Sequence, residues 1–505
     1  MTDEIIIANR KALEDKYKAS GVDEIQKALK KLIDADKVRG LQTKIIFVDD
    51  GAAMKTVGGK PPLNAKDQRG HKAAVDKIHA ALSPDYIVLL DGPDVIPHIE
   101  LDNLTDDEDR VVPSDLPYAS DAAFSRTASA FLSVTRAIGR LPGPTGHKDP
   151  QFLIGLIEGA AAHTPRPAAD YKQYFAMSAA VWEVSTKMSL QAMFGDDKAI
   201  TTSPAGCHPQ IDKTLGARAH FINCHGAPVD PRFYGQHGED YPTAMESQLV
   251  APCITTGTVA AAECCYGAQL YDDKQAEVEQ PICMSYLEKG AIGFVGSTNI
   301  AYGPSDSNGA ADLLTQFFFA EMLDGASLGR SFLRARQRFV RRETMADPVN
   351  LKTLAQFILL GDPALRPCPA EKEKDDAAID EKSRRKRIML DTASEGKAIA
   401  AAATVVGDKV RGSPKVTQAL RKLALDRGFK NPSIQVLNVT GGSAFRAFAK
   451  AKNVTTQVAV ATAKHDRSEP ETRSERSPYT LPAYRILVAH TLDHGIVKID
   501  EYESR

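Results

Sequence analysis

The chain has 505 residues, of which 43% are hydrophobic and 25% charged, with a formal net charge of −2 at pH 7. These are ordinary values for a folded protein; the length exceeds what one hydrophobic core holds, and the near-zero charge argues against general attraction to nucleic acid. No apolar run is long enough to span a membrane and no export signal precedes the first strand, so we expect a protein of the cytoplasm without membrane contact. Seven cysteines, an odd number, suit reduced thiols there.

The first part of the chain alternates strands and helices. Short apolar runs at residues 4–8, 44–48 and 86–90 predict strands, and residues 72–82 have helical periodicity. Such alternation is typical of a parallel sheet. We therefore expect an N-terminal α/β subdomain over residues 1–155.

A second α/β unit is expected over residues 156–369. Residues 165–193 are predicted to be helical, with Trp182 packed in the core. Buried strands are predicted to end at His225-Gly226, before Cys265, and before Ser297-Thr298. His225 and Cys265 are 40 positions apart (265 − 225), enough for one crossover, so the two strand ends could be neighbours in a parallel sheet.

An imidazole and a thiol at one sheet edge are the parts of a cysteine nucleophile site. The thiol needs a neighbouring base or a helix N-terminus to become a thiolate, and His225 and a helix expected near Gln269 could supply them. Core packing is the competing interpretation, since free cysteine behaves as a small hydrophobe. Adjacent pairs such as Cys264-Cys265 point to opposite faces of a strand, so we expect no metal site, and no motif indicates a cofactor.

The composition changes after the second unit. Residues 370–392 are predicted to form a charged linker, and residues 393–505 a C-terminal α+β domain that regulates the protein or binds a partner. The linker holds arginines at 384, 385 and 387, and a polar loop holds Arg467, Arg473 and Arg476. These are candidate self-cleavage positions if the protein cuts after basic residues.

Several motifs resemble the clan of cysteine peptidases that includes caspases, legumains and clostripain. Ile222-Asn223-Cys224-His225-Gly226 is similar to the clan's strand ending in His-Gly, and Glu263-Cys264-Cys265-Tyr266-Gly267 to its nucleophile strand, with Tyr266 interposed before the glycine. Segments 84–97, 114–119, 138–140, 290–298 and 359–365 are most similar to the gingipain-type family, C25. The resemblance implies a caspase-like α/β three-layer sandwich with a smaller α/β subdomain before it.

The resemblance also implies roles for individual residues. Cys265 would be the nucleophile, with Cys264 as the alternative, and His225 the general base and acid. The amides of Gly226 and Cys265 would stabilise an oxyanion. Further residues are candidates for the substrate pocket or for orienting the imidazole: Asp272, Asp273, Ser297 and Thr298 for the pocket, and Asp115 and Asp121 for the imidazole.

The function expected from these observations is that of a bacterial-type intracellular cysteine endopeptidase. It would cleave proteins or peptides after one selected residue, with arginine or lysine favoured, through an acyl-thioester intermediate. The alternative is a catalytically silent or partner-activated relative that acts as a scaffold through its C-terminal domain.

Overall fold

A computed structural model describes residues 2–204, 213–369, 381–441, 456–464, 481, 483–493 and 495–505. The arginines at 467, 473 and 476, and the side chains of Arg384 and Arg385, lie outside the described residues. Among the helices of the described part, none is long and apolar enough to cross a bilayer.

The N-terminal part alternates strands and helices as the sequence predicted. Its elements are β1 (Glu4–Ala8), α1 (Arg10–Val38), β2 (Thr43–Phe47), α2 (Gly51–Thr56), α3 (Gln68–Leu82), β3 (Tyr86–Leu90), β4 (Ile99–Asp102), β5 (Val111–Ser114) and β6 (Ala137–Leu141). The strands β1 and β3 are buried at every residue, which is why they are continuous apolar runs rather than alternating ones. Asn9 caps α1, its Oδ1 accepting a hydrogen bond from the amide of Ala12 at 3.0 Å.

The middle part supplies most of the site. Its helices are α4 (Gln151–Ala162), α5 (Ala168–Lys172), α6 (Glu183–Phe194), α7 (Ser247–Val250), α8 (Asp273–Ala276), α9 (Ile282–Glu288), α10 (Ala311–Leu323), α11 (Leu328–Arg342) and α12 (Pro348–Gln356). Its strands are β7 (Tyr174–Ala179), β8 (Ile200–Ser203), β9 (Ala219–Asn223), β10 (His225–Gly226), β11 (Arg232–Tyr234), β12 (Thr243–Glu246), β13 (Val259–Ala262), β14 (Gly293–Ser297), β15 (Tyr302–Gly303) and β16 (Phe357–Gly361).

One ten-stranded sheet joins these two parts, in the order β2-β1-β3-β6-β16-β14-β13-β9-β7-β8. Neighbours are parallel except for the antiparallel pair β14 and β16. The mixed α/β fold class predicted from the sequence is confirmed, and both expected subdomains contribute strands to the same sheet. The prediction of an uninterrupted helix over residues 165–193 is wrong, because Tyr174–Ala179 pairs between β8 and β9 and so gains a sheet position that its local sequence did not reveal.

The C-terminal part forms a second, antiparallel sheet. Its elements are α13 (Glu381–Ala402), β17 (Thr404–Lys409), α14 (Pro414–Asp426), β18 (Ser433–Gly441), β19 (Thr456–Lys464), β20 (Tyr484–Leu492) and β21 (Gly495–Ser504). The stretch predicted as a charged linker is therefore helical from Glu381, where good helix formers such as Lys, Arg and Ala dominate.

The C-terminal sheet is attached to the rest of the molecule through its core and through one strand. Along β19, Val458 and Val460 belong to the main hydrophobic core, whereas Ala459 and Ala461 pack in a smaller cluster with residues of α14. At the sheet edge, β21 pairs with β15 from the middle part. One face of this sheet thus packs in the main core, and one edge of it pairs with β15, a strand of the middle part that follows β14 in the chain.

Candidate functional site

The strands β9 and β13 are parallel neighbours, paired from Ala219 with Val259 to Ile222 with Ala262. They end at the same sheet edge, so the predicted adjacency of the two strand ends is confirmed. Gly226 lies against the backbone of Cys265: a Cβ added to Gly226 would stand 1.9 Å from the carbonyl oxygen of Cys265. Glycine is required at this position for the close approach of two backbones.

The imidazole of His225 is held by a side chain that the sequence analysis did not single out. Its Nε2 lies 2.7 Å from Oε1 of Gln236, and its ring packs against Trp182 and Tyr241, with centroids 4.3 and 5.4 Å away. Since an amide oxygen only accepts, Nε2 donates and Nδ1 is the basic nitrogen of the neutral ring. Gln236 itself is fixed by the hydroxyl of Tyr241, 2.8 Å from its Nε2.

The two aspartates proposed for orienting the imidazole lie elsewhere in the structure. Asp115 is buried with Arg140 and His98; burial favours its neutral form, but these two partners outweigh that effect and lower its pKa. Asp121 pairs with Lys397 at 3.0 Å. The position of Gln236 is a consequence of the hairpin of β10 and β11, which no local motif marks.

The neighbouring cysteines differ in their surroundings. The sulfur of Cys265 lies 3.5 Å from the carbonyl oxygen of Ala301, in the segment leading to β15. The sulfur of Cys264 faces the carbonyl oxygen of Ile222 in β9, and burial raises the pKa of its thiol well above the ordinary value. Burial also raises the pKa of the Cys224 thiol. Cys264 and Cys224 are therefore held as neutral thiols within the sheet.

The backbone turn after Cys265 is held by a side-chain hydrogen bond. Tyr266 adopts a left-handed conformation with φ 57°, and its hydroxyl donates to Asp109 Oδ1 at 2.8 Å. No helix begins at Gln269, contrary to expectation; α8 starts at Asp273 and has four residues. A helix dipole is therefore not available to the thiol at this position.

The four residues proposed for a substrate pocket are engaged in other contacts. Ser297 donates to the carbonyl of Cys264 at 2.9 Å, and Thr298 donates to that of Pro113 at 2.7 Å. Asp272 caps α8, and Asp273 lies 2.5 Å from Nε2 of His147. Ser297 thus supports the backbone at Cys264, Asp272 supports α8, and Asp273 holds the loop of residues 144–147 through His147.

A different set of side chains forms a pocket, and it is filled by Arg505. The guanidinium donates from Nη1 to Asn223 at 3.0 Å, and from Nη2 to both carboxylate oxygens of Asp312 at 3.0 Å. Nη2 also donates to the carbonyl of Pro304 at 3.0 Å. The carbon of the guanidinium lies 4.5 Å from the ring centroid of Trp182. Arg505 and Asp312 are both fully buried.

Backbone hydrogen bonds also join Arg505 to Cys265. The amide of Cys265 donates to the carbonyl oxygen of Arg505 at 3.1 Å, and the amide of Arg505 donates to the carbonyl of Ala301 at 3.0 Å. Trp182, predicted as core, is buried as expected but touches both His225 and Arg505. Asp312 and Arg505 are 193 positions apart, so no sequence spacing could have linked them.

The pocket contains a second carboxyl group, Glu263. Burial, together with the nearby Asp312, raises the pKa of Glu263 well above its usual range, and Thr315 donates to its Oε1 at 2.7 Å. Burial raises the pKa of Asp312 as well, although the charge of Arg505 opposes that shift. Both shifts oppose two negative charges side by side, and the guanidinium of Arg505 opposes the shift at each carboxyl group.

A group of possible metal ligands lies apart from this site. Ligand atoms of Asp347, His490 and Asp500 are within 4.8 Å of one another. They already interact with protein groups, since Tyr502 donates to Asp347 at 2.8 Å, and Lys498 lies 2.8 Å from Asp500. In the described part of the chain, these contacts join the C-terminal sheet to the start of α12.

Comparison with known proteins agrees with the motifs. Residues 236–368, which include Cys265 but begin after His225, match the model of peptidase family C25. No curated protein matches the chain. A solved structure described as "Structure of Protease" is similar over 99% of this chain and 97% of its own, with 13% identity and a TM-score of 0.41. The Saccharomyces cerevisiae separase–securin complex is similar over 46% of this chain and 14% of its own, with 14% identity and a TM-score of 0.30. The resemblance to the gingipain-type peptidases is thus confirmed over residues 236–368, the part of the chain that matches the model of peptidase family C25.

Proposed function

We propose that the chain is an endopeptidase that cleaves after arginine, with Cys265 as nucleophile and His225 as general base and acid. One observation carries this proposal: Arg505 has its guanidinium on Asp312 and its carbonyl oxygen on the amide of Cys265. A peptide bond following an arginine bound in this way would present its carbonyl to the nucleophile.

The reaction would proceed by acyl transfer. The sulfur of Cys265 attacks the carbonyl carbon of the substrate arginine while its proton passes to His225, and the amide of Cys265 donates to the oxyanion. Collapse of the tetrahedral intermediate breaks the C–N bond, and His225 returns the proton to the leaving amine. Water then attacks the thioester with His225 as base, which releases the arginyl carboxylate and restores the thiol.

Gln236 would be a positioning residue in this reaction. By accepting from Nε2 it fixes the tautomer in which Nδ1 carries the lone pair. A neutral partner at this position holds the ring without the electrostatic bias of a carboxylate. The general base is therefore oriented by hydrogen bonding and by packing on Trp182 and Tyr241.

The pocket suits arginine better than lysine. Its acceptors are spread around a planar group, with Asn223 on one terminal nitrogen and Asp312 and the Pro304 carbonyl on the other. The face of Trp182 provides a surface for a planar cation. An ammonium group is a compact charge that cannot reach acceptors on both sides at once.

Peptidyl coumarin amides ending in Arg, Lys, Asn or Asp test this proposal. We expect hydrolysis of the Arg substrate, with kcat/KM about tenfold or more above that for Lys, and loss of hydrolysis in Cys265→Ala. The neighbouring Cys264→Ala variant is the matched control and should retain activity. Equal rates for Arg and Asp substrates, or hydrolysis that survives Cys265→Ala, would contradict the proposal. The assay should be run on the intact chain and on Arg505→Ala, because Arg505 occupies the pocket.

A further inference from the structure

The segment Tyr502–Arg505 runs from the C-terminal sheet into the site as an added strand. Ser504 pairs with Tyr302 and Glu503 with Gly303, in antiparallel register. The amide of Arg505 continues this pattern by donating to the carbonyl of Ala301 at 3.0 Å. This is the way in which an extended peptide binds to a sheet edge, with main-chain hydrogen bonds for affinity and a side-chain pocket for specificity.

The pocket is closed around the arginine that ends this segment. A Cβ added to Gly303 would stand 2.1 Å from Nη2 of Arg505, so the side chain passes directly over the Gly303 backbone. Ser504 and Arg505 are fully buried. Since the pocket of Asn223, Asp312 and Trp182 is filled by this guanidinium, the arginine of another peptide cannot enter it at the same time.

Contacts with the C-terminal sheet and with the start of α12 hold the segment in place. Throughout its length β21 pairs with β20, from Leu492 with Gly495 to Arg485 with Glu503. The hydroxyl of Tyr502 donates to Asp347 at the start of α12, at 2.8 Å. A strand that is already ordered by its neighbours loses little further entropy when its last residues bind. Its effective concentration at the site is therefore high, on the order of millimolar for a short tether.

We propose that the segment Tyr502–Arg505 is an internal ligand of the site, which competes with arginyl peptides and keeps the cleft closed until it is displaced. The C-terminal domain would then regulate the peptidase by presenting its own strand to β15. The regulation of peptidase activity rests on the proposed function, whereas the occupation of the pocket by Arg505 can be measured without catalysis. Activation requires that the segment leave the cleft, either through removal of its last residues or through a protein that captures β21.

Binding of a peptide provides the first test. A fluorescein-labelled peptide with the sequence of residues 499–505 (Ile-Asp-Glu-Tyr-Glu-Ser-Arg) is titrated into the Cys265→Ala chain, either intact or lacking residues 503–505. We expect the peptide to bind the shortened chain with an affinity at least about tenfold higher than the intact chain. A tenfold difference means that the pocket of the intact chain is open no more than about one tenth of the time. Equal affinity for the two chains, or no binding to the shortened one, would overturn the proposal.

Point variants keep the test independent of the deletion. Arg505→Ala should open the pocket with the strand left in place, whereas Lys498→Ala changes an exposed residue of the same strand and should leave peptide binding as in the intact chain. Circular dichroism and thermal unfolding show whether each variant is folded. If Lys498→Ala opens the site as much as Arg505→Ala, the effect is a general loosening of β21, and the proposal fails.

Activity measurements separate this proposal from the proposed function. If the intact chain and Arg505→Ala hydrolyse an arginyl coumarin amide equally well, the peptidase stands and the internal ligand is refuted. If the shortened chain binds the peptide tightly but no form hydrolyses any substrate, the internal ligand stands and the proposed peptidase activity is refuted. At least about a tenfold rise in kcat/KM on Arg505→Ala, absent in Lys498→Ala, supports both.

Discussion

Asp312 and Arg505 form a fully buried ion pair in which one guanidinium nitrogen lies 3.0 Å from each carboxylate oxygen. Breaking such a pair by removing one partner is costly, because the other charge is left in a site without water. The pair connects the last residue of the sequence to the first turns of α10. Both proposals rest on this contact, since it would set the preference for arginine and keep the cleft closed.

The carboxylate of Asp312 should dominate recognition of arginine. In the Arg505→Ala background, Asp312→Asn is expected to lower kcat/KM for arginyl substrates by about 10²-fold or more, since loss of a buried charge partner costs roughly 2–5 kcal/mol. Asp324→Asn, at the exposed end of the same helix, is the control and should have no effect. Kinetics with arginyl and citrullinyl substrates check this: retention of the full arginine preference would show that another group binds the cation.

Gly303 should be intolerant of any side chain. A methyl group at Gly303 would occupy the path of the arginine side chain, 2.1 Å from where Nη2 of Arg505 lies. In the Arg505→Ala background, Gly303→Ala is therefore expected to raise KM for arginyl substrates about tenfold or more, an effect of about 1.4 kcal/mol or above. Gly155→Ala is the control, because outside its own helix no atom of the described residues lies within 4 Å of the added carbon. An unchanged KM would mean that substrate does not follow the path of Arg505.

Gln236 should act on the rate through His225 rather than on substrate binding. Gln236→Leu removes the acceptor of Nε2–H, and we expect kcat to fall about tenfold or more with KM nearly unchanged, because general-base catalysis contributes roughly 10²–10⁴-fold. In Gln236→Glu the added carboxylate favours the imidazolium, so the acid limb of the pH–activity profile should move to higher pH. Gln191→Leu, on an exposed turn of α6, is the control. If KM rose as kcat fell, and the pH–activity profile did not change, Gln236 would have a structural role only.

His220 should make the fold sensitive to acid. It is buried in β9 between Tyr286, 2.8 Å from its Nδ1, and the carbonyl of Ala217, and burial lowers its pKa to about 4. Between about pH 6.5 and 4, this imidazole is therefore protonated in the unfolded chain and neutral in the folded chain. The stability that the neutral imidazole contributes is complete above about pH 6.5 and is lost as the pH falls towards 4, by roughly 3 kcal/mol in all.

Chemical denaturation between pH 4 and 7 measures this loss. His220→Gln should have a shallower dependence of unfolding free energy on pH than the parent chain, whereas His237→Gln, at an exposed position, should keep the parent slope. If both variants and the parent gave the same slope, the acid sensitivity would come from other groups.

Much of the architecture could be predicted because buried parallel strands have a simple pattern. Strands β1, β3, β9, β13 and β14 were recognisable as short apolar runs, and glycine after a reactive side chain marked the ends of β9 and β13. By contrast, β7 was hidden, because Tyr174–Ala179 acquires its strand conformation from its neighbours β8 and β9. A local pattern cannot report pairing with a strand that lies elsewhere in the chain.

The sequence by itself indicated an imidazole and a thiol, His225 and Cys265, after neighbouring parallel strands, and residues 236–368 match the C25 peptidases. Those positions follow from local patterns, since each residue comes shortly after a buried strand, β9 or β13. Only the tertiary structure brought Gln236 to the imidazole and Asp312, Asn223 and Trp182 around Arg505. The residues in these contacts come from a hairpin, from the ends of three helices or strands, and from the residue that follows β21. They are brought together by the packing of two sheets against one core, and this packing cannot be inferred from the spacing of residues along the sequence.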